Sequence, residues 1–157
     1  MSLKIVPYKA EHAVAIICRQ PRESWLRIND KAEERAKYLE TAGPALTGKW
    51  CGELVGVGGL MFNGPWNGVA EAWLLFGEKI DRFPITTRMT FAREIKNRLG
   101  QWIEQYQLVR VEANIRAGFV IGVRFAEFVG LKYESTKLHY YPSGEAGLVY
   151  VKIIERR

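Results

Sequence analysis

Two cysteines and two histidines are too few, and too scattered, to build a disulfide framework or a metal centre. Cys18 and Cys51 fall outside any C-x-x-C spacing, and His12 and His139 form no ligand pattern with them. No zinc site or other metal site is therefore expected. Cys18 closes an apolar helical stripe and Cys51 adjoins a strand, so both read as buried, reduced thiols. No apolar run approaches the roughly 20 residues that span a bilayer, which argues against a membrane helix. The opening Met-Ser-Leu-Lys-Ile-Val lacks the charged-then-apolar build of a signal peptide, so a cytoplasmic location is expected. There is no internal repeat, low-complexity tract or linker. A local scarcity matters more than these: between Gly77 and Met89 the chain has no glycine.

What is present has an ordinary globular balance. Hydrophobic residues make up 48% and charged residues 25% of 157 residues, enough for one domain over 1–157 to close a core unaided. The net charge of +6 favours an anionic partner. It does not choose among nucleic acid, a phosphorylated cofactor and an acidic protein surface, and a merely solvated basic surface stands beside them. No aromatic-plus-basic signature selects nucleic acid.

Periodicity supplies the elements. A strand from Leu3 to Tyr8, checked by Pro7, precedes a helix from Ala10 to Arg19 that ends before Pro21. Asp30 is placed to cap a second helix whose inward stripe is Ala32, Ala36 and Leu39, and Gly43-Pro44 stops it. Ala45 to Trp50 and Glu53 to Phe62 form a hairpin around a Cys-Gly-Glu turn. Gly56, Gly58 and Gly59 leave its second strand bare, which points either to packing room for a neighbouring Trp or to a ligand contact. The strand Val69 to Phe76 is apolar on both faces, as a central strand is. A polar turn then leads into a long helix from Arg88 to Tyr106 that buries Ala92, Ile95, Leu99, Trp102, Ile103 and Tyr106. A strand from Leu108 to Ile115 follows, then a short helix from Phe119 to Val129 stopped by Gly130. Two long strands, Leu131 to Tyr141 and Gly147 to Ile154, close the chain as a hairpin. The order β-α-α-β-β-β-α-β-α-β-β predicts an α/β protein on a mixed, mainly antiparallel sheet flanked by helices.

That order, with the segment Gly-Val-Arg-Phe-Ala-Glu-Phe-Val-Gly-Leu-Lys-Tyr-Glu (122 to 134), resembles the GNAT superfamily of acyl-CoA-dependent N-acyltransferases over essentially the whole chain. The resemblance implies a single-domain GNAT-like fold and transfer of an acyl group from acetyl-CoA to an amine-bearing small molecule or protein. It implies that the fourth strand splays from the fifth, with backbone groups at Leu74, Leu75 and Phe76 receiving the pantetheine arm. The pyrophosphate would lie at the start of the long helix, where free amides and a partial positive charge receive phosphate. Members of the family reach it through a glycine signature, which this chain lacks. Arg82, Thr86, Thr87 and Arg88 are the residues left to hold it, the threonines as helix caps or anion-binding hydroxyls. A solvated pair of arginines and a plain threonine cap is the competing reading.

By the same resemblance Glu71, on the fourth strand, is the carboxylate that would deprotonate the amine, and Glu112 is a second candidate. An ion-paired or solvent-facing strand glutamate is the alternative for either. The asparagine and tyrosine that such enzymes often carry fall at Phe119 and Ala126, so Tyr133, Tyr140 or Tyr141 would have to supply the acid. Residues 21–29, with Trp25, and 141–147 would form the acceptor loops. Arg124-Phe125, Gly130, Tyr133-Glu134, Ser143-Gly144 and Leu148 to Ile154 also resemble a family of internal virion proteins of short-tailed phages. Those look like GNAT domains without the glycine signature. That resemblance implies a catalytically degenerate phage protein with a structural or assembly role, located in the virion. A homodimer is open under either reading, and no membrane partner is expected.

Overall fold

The computed structural model describes residues 2–19, 31–62, 64 and 66–156. Seven strands and four helices follow the expected order: β1 (Leu3–Pro7), α1 (Ala10–Arg19), α2 (Ala32–Thr41), β2 (Ala45–Trp50), β3 (Glu53–Met61), β4 (Val69–Phe76), α3 (Ile85–Gln105), β5 (Arg110–Arg116), α4 (Val120–Phe128), β6 (Lys132–Lys137) and β7 (Gly147–Ile153). A 3-10 turn, Ile80–Arg82, precedes α3. The strands make one mixed sheet in the order β1-β2-β3-β4-β5-β7-β6. β4 pairs with β5 in parallel, while the β1–β2, β2–β3, β5–β7 and β6–β7 ladders are antiparallel. Pro7 ends an edge strand, where its missing N–H leaves no ladder bond unmade.

The chain divides into two compact units, Met1–Met61 with Trp73–Phe91, and Phe62–Ala72 with Ala92–Arg157. In the first, strand alternation sends Thr47 and Val57 to one face and the paired Gly48 and Gly56 to the other. Tyr8, Ala13, Ile16, Ile17, Ala32, Ala36, Val57 and Leu75 form the core beneath α1 and α2. The start of α1 is tied by tertiary bonds: the Ala10 amide donates to Glu40, and just before the helix the Tyr8 hydroxyl donates to the Ala36 carbonyl at 2.9 Å. His12 is buried, with Nδ1 2.8 Å from the Thr47 hydroxyl and accepting the Lys9 amide at 3.2 Å. On the other face, a β-carbon at Gly48 or Gly56 would lie 2.6 or 3.0 Å from the Phe91 ring. Gly56 thus makes room for an aromatic, as the packing reading expected, but the ring is Phe91 of α3 and not a tryptophan, while Gly58 lies against Leu74 and the Trp73 carbonyl and Gly59 against Pro44 and Ala45.

In the second unit Leu99, Trp102, Ile103, Leu108, Val111, Ala126, Val129, Val149 and Val151 are buried. Arg156 closes the end of α3 by donating to the carbonyls of Ile103 (2.9 Å) and Leu108 (3.0 Å). Lys96 of α3 lies 5.1 Å above the Phe128 ring of α4. Tyr106, expected inside, is exposed and rests its ring on Phe62.

Several expectations need correction. Cys51 is exposed, because it occupies the β2–β3 turn with φ 51° and its side chain leaves the sheet there. α3 begins at Ile85, not Arg88: the carbonyl of Pro84 accepts the first helical bond from Arg88, and proline is tolerated where a helix amide needs no partner. β6 stops at Lys137, since His139 (φ 49°) turns the chain before Tyr140. The residue before α2 is Lys31, which makes no side-chain cap. Asp30, the 21–29 acceptor loop with Trp25, and the Cys18 side chain lie outside the described residues.

Candidate active site

The turn into α3 belongs to the first unit and is held by side chains where a glycine-rich loop would use bare backbone. Gly77 donates to the Val55 carbonyl at 2.8 Å, and a β-carbon there would strike the Leu54 carbonyl. Ile80 and Phe83 are buried, Phe83 edge-on to Trp50 at 5.7 Å, and Lys79 pairs with Glu53 at 2.9 Å. Of the residues expected to receive a pantetheine arm, Leu75 and Phe76 are buried and Leu74 is half-buried on β4. Arg82 is exposed at the end of the 3-10 turn. Because α3 starts at Ile85, Thr86 and Thr87 lie inside its first turn and neither is its cap. Thr86 is exposed, and its carbonyl accepts the Thr90 hydroxyl at 2.8 Å; Thr87 is buried. Arg88 has a buried Nε with no partner among the described residues. The amides of Ile85, Thr86 and Thr87 precede the first helical bond, and with Arg88 they give this turn a positive character suited to phosphate. An anion fits this donor set.

The second unit carries the carboxylates. In the parallel β4–β5 ladder Val69 stands opposite Arg110 and Glu71 opposite Glu112. Alternation therefore places Glu71, Arg110, Glu112 and Asn114 on one face. The two glutamates have different neighbours. Glu112 accepts two hydrogen bonds from Arg110, at 3.1 and 3.0 Å. Arg110 also grips Glu134 with a bidentate pair at 2.8 and 2.7 Å. Glu134 stands where β6 shifts register, between Tyr133 and Ser135. The hydrogen bonds to Glu134, ahead of those to Glu112, hold the guanidinium proton more tightly than usual, and the Glu134 carboxyl sits below the ordinary carboxylate range. Glu71 instead accepts a neutral hydrogen bond from Asn114 Nδ2 at 2.9 Å. The other end of that amide, Asn114 Oδ1, is buried with no partner among the described residues. An unmet buried acceptor of this kind costs about 1–3 kcal/mol.

The tyrosines separate by face. Tyr133 pairs in register with Tyr150, and Tyr150 with Ala113, so both phenols lie on the face opposite Glu71. The Tyr133 hydroxyl bonds Thr136 at 2.7 Å, and its ring meets Tyr150 edge-on. Burial first, then the charge of Glu127 on α4, raises the Tyr150 phenol. Tyr140 is the tyrosine gathered with the carboxylates: burial, then the charges of Glu71 and Glu112, push its phenol up. Its ring stacks edge-on to Tyr141 at 5.0 Å, with Lys137 Nζ 4.8 Å above it. The Tyr141 hydroxyl donates to the Asn114 carbonyl at 3.3 Å. Phe119 precedes α4 without capping it, and Ala126 is buried.

The structure thus brings Glu71, Glu112 and Tyr140 together and leaves Tyr133 apart. Sequence reasoning missed Asn114 and Arg110. Asn114 was within its reach, since even-numbered β5 residues share a face with Glu112. Arg110 was not, because its link to Glu134 depends on β7 lying between β5 and β6. Among the described residues no group of three or more His, Cys, Asp and Glu side chains is placed to hold a metal, and no helix is long and apolar enough to cross a membrane.

No protein-family model and no curated protein matches the chain. Solved structures do. The acetyltransferase yncA of Salmonella typhimurium, solved with its cofactor acetyl-CoA, superposes with TM-score 0.72 at 12% identity over 100% of this chain and 96% of its own. The ribosomal-protein-alanine N-acetyltransferase of Brucella melitensis gives 0.68 at 16% identity over 96% and 99%. A GNAT-family acetyltransferase of Bacillus anthracis gives 0.65 at 14% over 98% and 95%. At such identities what is shared is the architecture, and the chain has the α/β fold of the GNAT acetyltransferases.

Proposed function

We propose that this protein is an acyl-CoA-dependent N-acyltransferase in which Glu71 is the base for the acceptor amine. The observation that carries the reading is the arrangement at Glu71: a strand carboxylate that takes a hydrogen bond from a neutral donor, with its charge felt by the Tyr140 phenol. The GNAT architecture and the acetyl-CoA bound by yncA support it. β4 carries Glu71 and, further along, the Leu74–Phe76 backbone assigned to the pantetheine arm. Arg82, Arg88 and the first amides of α3 are assigned to the pyrophosphate, with Thr86 beside them. Acetyl-CoA supplies the activated acyl group as a thioester. Glu71 takes the proton that the amine nitrogen loses as it forms its bond to the acyl carbon, directly or through water. The Tyr140 hydroxyl holds a proton for the sulfur as the carbon–sulfur bond breaks, so the products are an amide and a free thiol. Burial and two nearby carboxylates keep that phenol protonated at neutral pH.

A second reading, a GNAT-fold phage protein with a structural or assembly role, draws support from the turn before α3. Buried Ile80 and Phe83 fill it where glycine would let backbone approach a phosphate. Thermal melting with and without acetyl-CoA separates the two. Occupancy at a hundredfold excess over Kd stabilises the native state by about 2.7 kcal/mol. The acyltransferase reading expects such a shift, abolished in the Arg82→Ala, Arg88→Ala double variant. The absence of any shift at millimolar acetyl-CoA would sink it and favour the second reading.

A further inference from the structure

We infer that Gly147 is a positioning residue for Tyr140: by carrying no side chain, it seats the phenol ring on the face of the sheet that holds Glu71. The inference rests on the acyltransferase reading above. In the antiparallel β5–β7 ladder Glu112 stands opposite Val151, Asn114 opposite Val149 and Arg116 opposite Gly147. Paired residues point to the same side of a sheet, so 147, 149 and 151 share the face of Glu112 and, through the β4–β5 ladder, of Glu71. Val149 and Val151 fill their places in that row with buried, branched side chains. Position 147 leaves its place open, and the Tyr140 ring occupies it. A β-carbon at Gly147 would lie 2.8, 3.1 and 3.3 Å from Tyr140 Cδ1, Cγ and Cβ. Those atoms stand at the root of the side chain, so the ring could not make room by swinging its hydroxyl end alone. The backbone does not demand glycine here, since the φ of Gly147 lies outside the left-handed region. What glycine supplies at this rung is space for a close approach. The loop that carries the ring is tied down beside it. The Ala117 amide donates to the Ala146 carbonyl at 2.9 Å, the Tyr141 amide donates to the Glu145 carbonyl at 3.1 Å, and Arg116 pairs with the Glu145 carboxylate at 3.2 Å.

The test pairs Gly147→Ala with changes at Tyr140. Gly147→Ala is expected to lower the melting temperature of the wild type. In Tyr140→Ala, where the added methyl meets no ring, it should leave the melt unchanged or raise it. Should Gly147→Ala alone fail to fold, recovery of a cooperative melt by Tyr140→Ala reads the same contact. A fall of equal size in both backgrounds overturns the inference. The Tyr140 phenol, followed as the ultraviolet tyrosinate change that Tyr140→Phe lacks, is expected to titrate at lower pH in Gly147→Ala. A displaced ring leaves its burial and the charges of Glu71 and Glu112 that raise it. An unmoved titration also overturns the inference. Thiol release from acetyl-CoA would be followed with propylamine, spermidine, tyramine and a peptide bearing a free N-terminus. Gly147→Ala is expected to lose about tenfold or more in kcat, as a misplaced acid does, with KM for acetyl-CoA unchanged. In Tyr140→Phe the same substitution should cost nothing further, because that ring has no proton to give. Retained kcat in Gly147→Ala, or an equal loss in the Tyr140→Phe background, overturns the inference and leaves the acyltransferase reading standing. A wild-type protein with no acetyl-CoA melting shift removes that reading and the catalytic part of the inference with it, while the melts and the titration still decide whether Gly147 seats the ring.

Discussion

Glu71 and Glu112 face each other across one rung of a parallel ladder, yet their bonded neighbours differ in kind. Glu112 is locked into a three-membered ion network with Arg110 and Glu134; Glu71 has the neutral Asn114 amide and a nearby phenol. The residue type and strand position are the same in both. What differs is the side chain two residues along β5: Arg110 lies on one side of Glu112 and Asn114 on the other. Glu112 takes two hydrogen bonds from a cation, while the hydrogen bond that Asn114 gives Glu71 brings no charge with it. The comparison teaches that two strand carboxylates at one level of a sheet are told apart by their bonded neighbours rather than by their own positions.

The widest gap between the two should appear in catalysis. Glu71→Gln is expected to lower kcat/KM for amine-dependent thiol release by about 10²-fold or more, the usual range for removing a general base. Glu112→Gln should leave it within about threefold. Equal losses in the two variants, measured side by side, would erase the distinction. Next in size is Tyr140→Phe, expected to reduce kcat by about tenfold or more. Because the phenol is raised, the wild-type rate should persist to higher pH than an ordinary tyrosine would permit and then fall as the phenol ionises. That alkaline fall should vanish in Tyr140→Phe and persist in Tyr133→Phe.

Stability should respond the other way round. Arg110→Met leaves Glu112 and Glu134 without their shared cation, so it should lower the melting temperature by a few degrees, as expected for about 1 kcal/mol or less in a half-exposed network. Added salt should narrow the difference between wild type and Arg110→Met by screening the network. Smallest and most local is the acid response. Glu134 is held below the ordinary carboxylate range, so its contribution is complete above that range and is lost as pH falls through the depressed value. His12 acts at milder pH: burial, then Lys49 and Lys9, lower it against a weaker pull from Glu11. Its contribution is whole above the ordinary histidine pKa and is lost as pH falls through that value towards the folded one. A melt series from neutral to mildly acid pH should therefore decline in wild type and flatten in His12→Gln.

Much of the fold was legible because its signals are local. β4 showed apolar residues on both faces because it is the central strand of seven. The spacing of Ala92, Leu99, Trp102 and Ile103 marked the buried stripe of α3 before any neighbour was known. Errors clustered at ends and turns, where a single residue decides: Pro84 moved the start of α3, the positive φ of His139 ended β6 early, and the hairpin turn exposed a Cys51 thiol that was expected to be buried. The candidate site was legible only in part. Glu71 and Glu112 were readable as strand carboxylates, but nothing nearby in sequence told which would be bonded to Arg110 and which to Asn114. Nor did it separate Tyr140 from Tyr133, since both follow α4 within a short stretch.

By itself the amino-acid sequence determined the order of elements, the central strand, the missing glycines before α3 and the two glutamates on neighbouring strands. These follow from periodicity and composition, which are properties of contiguous residues. Tertiary structure alone decided that Arg110 answers Glu112, that Asn114 holds Glu71, and that Tyr140 joins them while Tyr133 faces away. The reason is register. Side chains alternate with period two, so inserting β7 between β5 and β6, with one shift at Glu134, sets which distant residues share a face, and no local pattern encodes that choice.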